Sequence, residues 1–86
     1  MVRNFKLKQQ EISELMKADP ATERDGGYQG LLVELQRALK AYEITITKAQ
    51  MERIHRYAFE YKNGGWQGRL LKIFGRVLGP KLDRYL

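Results

Sequence analysis

Gly26-Gly27-Tyr28-Gln29-Gly30 recurs, with one aromatic exchanged for another, as Gly64-Gly65-Trp66-Gln67-Gly68, 38 positions further on. The likeness continues at the same offset: Asp25 with Asn63, Leu32 with Leu70, Val33 with Leu71, Leu35 with Ile73, and Leu39 with Val77. Upstream of the glycines only spacing survives, with Ile12 and Leu15 roughly matching Met51 and Ile54. Self-similarity at a fixed offset marks a duplicated supersecondary unit. One unit spans about residues 5–42, the second about 44–79, and 80–86 form a tail, all within a single α-helical domain, 1–86.

Each unit reads as two helices. The first helix covers Phe5–Ala18, with Phe5, Ile12, Leu15 and Met16 on one face. Asp19-Pro20 stops it, because proline disfavours α geometry in the residue before it. Residues 20–25 form a loose turn, and a second helix runs from Gly27 to Tyr42 with Leu31, Leu32, Leu35 and Leu39 inward. Ile44-Thr45-Ile46 is strand-like by residue type, but three residues without a partner make no sheet, so they are read as a connector. Thr47-Lys48-Ala49-Gln50 is a capping box. It opens a third helix to Lys62 that buries Met51, Ile54, Ala58 and Tyr61. Asn63-Gly64-Gly65 ends that helix, since glycine reaches left-handed geometry without a Cβ clash. The fourth, Gly65–Leu78, buries Trp66, Leu70, Ile73, Phe74 and Val77, and Gly79-Pro80 breaks it. The expected fold is therefore all-α: a small bundle of four helices in two helix–Gly-Gly–helix hairpins, with room for a short fifth turn in the tail.

Composition sets further bounds. With 43% hydrophobic and 30% charged residues, the chain is ordinary for a globular protein. It has no cysteine, which excludes a disulfide scaffold, Cys-ligated zinc and thiol chemistry, and fits a cytoplasmic setting. Met1–Lys8 alternates basic and apolar residues and is no signal peptide, and no stretch approaches the ~20 apolar residues of a membrane span. The net charge of +6 is placed unevenly. Residues 1–43 hold seven Lys/Arg against seven Asp/Glu, and residues 44–86 hold nine against three.

That excess points to the fourth helix. Arg69, Lys72 and Arg76 share one face at i, i+3 and i+7, where the first unit has Leu31, Glu34 and Ala38. No acid lies between Gly65 and Leu78 to neutralise them locally. Lys62 precedes the stripe, Lys81 and Arg84 follow it, and Arg53 and Arg56 lie on the third helix. Tyr57 and Phe59 point away from that helix's apolar stripe, leaving Tyr57 able to meet a partner. The expected function is a non-enzymatic binding protein that contacts nucleic-acid phosphates through Arg53, Arg56, Lys62, Arg69, Lys72 and Arg76. Five or six such contacts would give a log–log salt slope of roughly −4 to −5. The alternative is a small protein-interaction module, a regulator or inhibitor of the sort mobile genetic elements carry. It would dock on an acidic face of a larger protein through Trp66, Tyr57 and Arg56. A homodimer through exposed apolar positions is a third, weaker reading.

Ligand and catalytic chemistry find little support. A glycine-led helix start can bind phosphate, but neither box has the Gly-Lys-Ser/Thr ending or the preceding strand that phosphate loops require. Gly26, Gly27, Gln29, Gly64, Gly65 and Gln67 are read as structural: the glycines turn the chain and the Gln amides satisfy loop carbonyls. His55 is the sole histidine and Ser13 the sole serine, with no constellation around either. One histidine and scattered acids make no metal site, and no cofactor is expected. Ala58 and Gly64 are spaced too widely for a DNA-reading helix-turn-helix.

Overall fold

A computed structural model describes residues 1–85; Leu86, the last residue of the expected tail, lies outside the described residues. The element order is β1 (Val2–Lys6), α1 (Gln9–Leu15), a 3-10 helix (Pro20–Asp25), α2 (Gly27–Ala38), β2 (Leu39–Lys40), β3 (Glu43–Thr47), α3 (Lys48–Phe59) and α4 (Gly64–Leu78). The fold is mixed α/β and not the all-α bundle that periodicity suggested. A three-stranded antiparallel sheet, ordered β1-β3-β2, packs with the helices.

The correction has a definite source. Ile44-Thr45-Ile46 does have a partner: Val2–Lys6 pairs with Glu43–Thr47 in the register Val2↔Thr47 to Lys6↔Glu43. Residues expected to begin a long first helix thus form an edge strand, and the helix shrinks to Gln9–Leu15. On the other side Leu39 pairs with Ile44 and Lys40 with Glu43, so α2 ends at Ala38 instead of running to Tyr42. Ala41, at φ 55°, makes the turn between β2 and β3. Period-two alternation sends Ile44 and Ile46 into the core while Glu43, Thr45 and Thr47 stay exposed. Thr45 then donates to the Asn4 side chain across the outer face, at 2.7 Å.

The core forms where the sheet's inner face meets three helices. Leu31, Leu32 and Leu35 of α2, Met51, Ile54 and Ala58 of α3, and Leu70, Ile73, Phe74 and Leu78 of α4 are fully buried around Ile44 and Ile46. Leu15 is the main contribution of α1. Some residues expected to face the core do not bury fully: Met16 and Tyr61 are exposed, and Leu39, Trp66 and Val77 are half-buried. The Thr47 cap forms as expected, with Oγ1 accepting from the Gln50 N–H and Gln50 accepting from the Thr47 N–H. Beyond α4 the chain turns at Gly79 and returns Leu82 to the core. No helix is long and apolar enough to cross a membrane among the described residues.

The two glycine boxes use their backbones differently. Gly26 sits at φ 61°, ψ −158°, a region essentially confined to glycine, and Gly27 is left-handed at φ 54°. In the second box the left-handed residue is Lys62, at φ 54°, and not a glycine. Asn63 is the reason. Its side chain accepts from the Trp66 N–H at 3.1 Å, capping α4 so that Gly64 and Gly65 become its first helical residues.

Candidate functional site

The apolar face of α4 is drawn inward by Leu70, Ile73, Phe74 and Leu78, which leaves Arg69, Lys72 and Arg76 on the flank facing α1. That flank carries Glu11 and Glu14, three positions apart on a helix and so neighbours on one face. Arg76 grips Glu11 with two hydrogen bonds, Nε to Oε2 at 3.1 Å and Nη2 to Oε1 at 2.8 Å, and also donates to the Lys6 carbonyl at 2.7 Å. Arg69 donates to the Glu14 carbonyl at 3.2 Å, and its Nε lies 3.8 Å from the Glu14 carboxylate. A cation on the final carbonyls of α1 also complements that helix's dipole.

Electrostatics follow from this geometry. Burial pushes the Glu11 carboxyl upward, but the Arg76 hydrogen bonds, the Lys8 backbone N–H and the Arg76 charge outweigh it and hold the group below its ordinary value. Glu14 is also lowered, first by its hydrogen bond from Lys17, then against burial by the charges of Lys17, Lys72 and Arg69. On the other side of the molecule Arg53 donates to Glu34 of α2 at 2.8 Å. Arg56 lies 3.7 Å from Glu60, one turn along α3. Of the six cations expected to meet phosphates, Arg53, Arg56, Arg69 and Arg76 therefore face the molecule's own carboxylates. Lys62 and Lys72 have no carboxylate within 4 Å among the described residues. The stripe is real but much of it is spent internally, because its acidic complement comes from a helix 55 to 65 residues earlier. The matched i, i+3 spacing of Glu11 and Glu14 was the signal that could have revealed this.

The aromatic residues converge instead on one corner. Tyr28 and Trp66, the equivalent residues of the two boxes, stack with centroids 4.7 Å apart and planes 10° from parallel. Tyr57 meets both rings edge-on and stacks on Tyr61 at 5.0 Å. Tyr61 completes the cluster edge-on against Trp66. Tyr28 is the buried floor, Tyr57 and Trp66 are half-buried, and Tyr61 is 53% exposed. The corner does not need the glycines for space: a Cβ on Gly27 would sit at an ordinary 3.7 Å from the Tyr57 hydroxyl, and space above Gly26, Gly64 and Gly68 is open. Neither the Gln29 nor the Gln67 side chain hydrogen-bonds another described residue, so the expected amide role is not seen. Burial raises the Tyr28 hydroxyl, whose oxygen and the Arg69 Nε both lack a hydrogen-bond partner.

His55 donates through Nδ1 to the Lys81 carbonyl at 2.7 Å and rests against Phe59. No group of three potential metal ligands occurs among the described residues. A shallow depression at the β2–β3 turn is lined by Lys6, Lys40, Ala41, Tyr42 and Glu43. One junction escaped sequence reasoning: Arg3 Nη1 donates to the Arg84 carbonyl, joining the first strand to the tail. Comparison of the chain with known protein families, curated proteins and solved structures finds no match.

Proposed function

We propose that the chain is a non-enzymatic protein-interaction module, working in the cytoplasm, which docks its aromatic corner on an acidic face of a larger protein. The supporting observation is the four-ring stack of Tyr28, Tyr57, Tyr61 and Trp66, solvent-facing on one side and already ordered before any partner arrives. Rigid aromatics of this kind lose little further entropy on binding and recur as interface hot spots. Trp66 and Tyr57 already use one ring face each inside the cluster, which favours contacts through edges and hydroxyls over the stacking of bases. Exposed Lys62, next to Tyr61, supplies the charge preference.

A phosphate-contact surface is the second reading. It rests on cations without a carboxylate within 4 Å, among them Lys62, Lys72, Lys81 and Arg84, since the arginines of α4 are engaged by α1. The test has two arms. Immobilised protein is incubated with nuclease-treated extract, beside the double variant Tyr61→Ala/Lys62→Glu with its fold checked by melting. A single protein retained in fixed stoichiometry by the wild type, and weakened about 30-fold in the variant, supports the reading. In parallel, duplex and single-stranded oligonucleotides are titrated from 50 to 300 mM salt. Binding with a slope of roughly −4 to −5 there, and no protein retained, overturns it in favour of phosphate contact.

A further inference from the structure

The sheet has two edges. β2 presents only two residues, whereas β1 presents five and is exposed over nearly its whole length. Beyond the paired register, the Lys48 N–H donates to the Met1 carbonyl at 3.1 Å and the Leu7 N–H to the Tyr42 carbonyl at 2.7 Å. Hydrogen-bonded and non-bonded pairs alternate along an antiparallel ladder. These two bonds therefore make Arg3/Ile46 and Phe5/Ile44 the bonded pairs. Val2, Asn4 and Lys6 then aim their N–H and C=O groups away from β3. The Arg76 contact agrees, since its guanidinium reaches the Lys6 carbonyl from outside the sheet. Arg76 covers that one group; those of Val2 and Asn4 have no partner among the described residues.

We infer that β1 receives an extended acidic segment of a partner protein, which adds as a fourth strand beside Val2–Lys6. Backbone bonds to Val2 and Asn4 would give the affinity of such an addition. Charge would give the selectivity. β1 has no acid and carries Arg3 on the inner face and Lys6 on the outer, while Arg76, which closes its far end, is already paired with Glu11. The nearest acid across the sheet, Glu43, stands opposite Lys6. A second copy of the chain fits poorly. Antiparallel β1–β1 pairing centred on Asn4 would set Val2 against a Lys6 whose carbonyl Arg76 already holds. It would also bring four strand cations together, Arg3 and Lys6 of each copy, against one Glu43 per copy. Cations on an edge oppose self-pairing and admit an acidic strand.

The inference is independent of the aromatic corner, and the experiment keeps the two apart. The probe is an acetylated, amidated octapeptide of alternating valine and glutamate, followed by 15N–1H NMR on the full chain. Expected are amide shifts confined to β1, hydrogen exchange slowed at least about tenfold at Val2, Asn4 and Lys6, and weaker binding at higher salt. Asn4→Pro removes one outward N–H without breaking a backbone bond to β3 and weakens binding about tenfold, and Asn4→Ala, which loses only the Thr45 side-chain bond, leaves it unchanged. The same peptide N-methylated on alternate residues does not bind, a control that needs no protein variant. Tyr61→Ala leaves the binding unchanged. Shifts at Tyr61 and Trp66 instead of β1, equal binding by the N-methylated peptide or by a valine–lysine peptide, or a dimer formed through β1 would each overturn the inference.

Discussion

Among the described residues Glu11 is the one buried charged side chain, at 6% exposure. Three hydrogen bonds reach its carboxylate, two from Arg76 and one from the Lys8 N–H. Replacing Arg76 with Met leaves that carboxylate enclosed with one donor. The expected loss is about 2 kcal/mol, less than for a fully buried pair because the arginine side chain is 42% exposed. Burial then dominates and the Glu11 carboxyl moves up, a reversal that NMR titration of the variant reads directly. The sign for the wild type follows. Glu11 and Glu14 both titrate below 4.5 when folded, so the unfolded chain binds more protons. Their stabilisation is complete above pH 4.5 and is lost as pH falls through the depressed folded values. Urea midpoints at pH 7 and pH 3 should differ, and Glu11→Gln should narrow the gap. The glycine boxes give a second residue-level contrast. Gly26→Ala forces alanine to φ 61°, ψ −158° and costs about 1–3 kcal/mol. Gly64→Ala adds a methyl in open space on a right-handed helical turn and gains roughly 0.4–1 kcal/mol. Equal effects at both positions would mean that the boxes share one backbone conformation.

Among the elements, α3 and α4 were legible because each carries an apolar stripe and a side-chain cap, whereas α2 has the stripe alone and its end was drawn four residues too far. The Thr47 box is the clearest case, and Thr47→Ala should cost about 1 kcal/mol in urea unfolding. β1 and β3 carry less evidence. Ile44-Thr45-Ile46 has strand residues, but Val2–Lys6 breaks alternation at Arg3-Asn4, and Asn4 meets Thr45 across 41 positions. Nothing local announces that pairing, and Phe5 with Ile12 at helical spacing gave a competing helix. The same distance hid the site. Arg69, Lys72 and Arg76 do lie on one flank of α4, while the meeting of the two boxes' aromatics, Tyr28 and Trp66, went unread. Whether the cations were available depended on α1, which sequence had drawn too long and turned by a different pattern. Ile46→Ala tests the pairing as a packing element. Ile46 is fully buried on the inner face, so the change should cost about 2–4 kcal/mol and lower hydrogen-exchange protection along both β1 and β3.

At the scale of the whole molecule, both ends of the described chain are tied to its middle and to each other. β1 completes the sheet on β3, and the turn after Gly79 delivers Leu82 into the same core that holds Ile44, Ile54 and Phe74. The Leu78 carbonyl accepts from both the Asp83 and Arg84 N–H groups, His55 holds the Lys81 carbonyl, and Arg3 holds that of Arg84. A chain of 86 residues buries a limited core, and a domain this small has only several kcal/mol of net stability. One buried leucine from the tail is therefore a large share of the total. Leu82→Ala should cost about 2–4 kcal/mol, with an added term because Leu82 occupies a left-handed backbone position, φ 54°, that its buried side chain must help to hold. Arg3→Ala removes only an exposed hydrogen bond and a contact over the Phe5 ring, and should cost well under 1 kcal/mol. Calorimetry and circular dichroism of the two variants separate anchoring by packing from anchoring by the charged link. If the tail is part of the core, Leu82→Ala lowers the single melting transition by roughly 10 °C or more while Arg3→Ala barely moves it. A tail that melts earlier as a separate step would show that α4, not Leu82, closes the molecule.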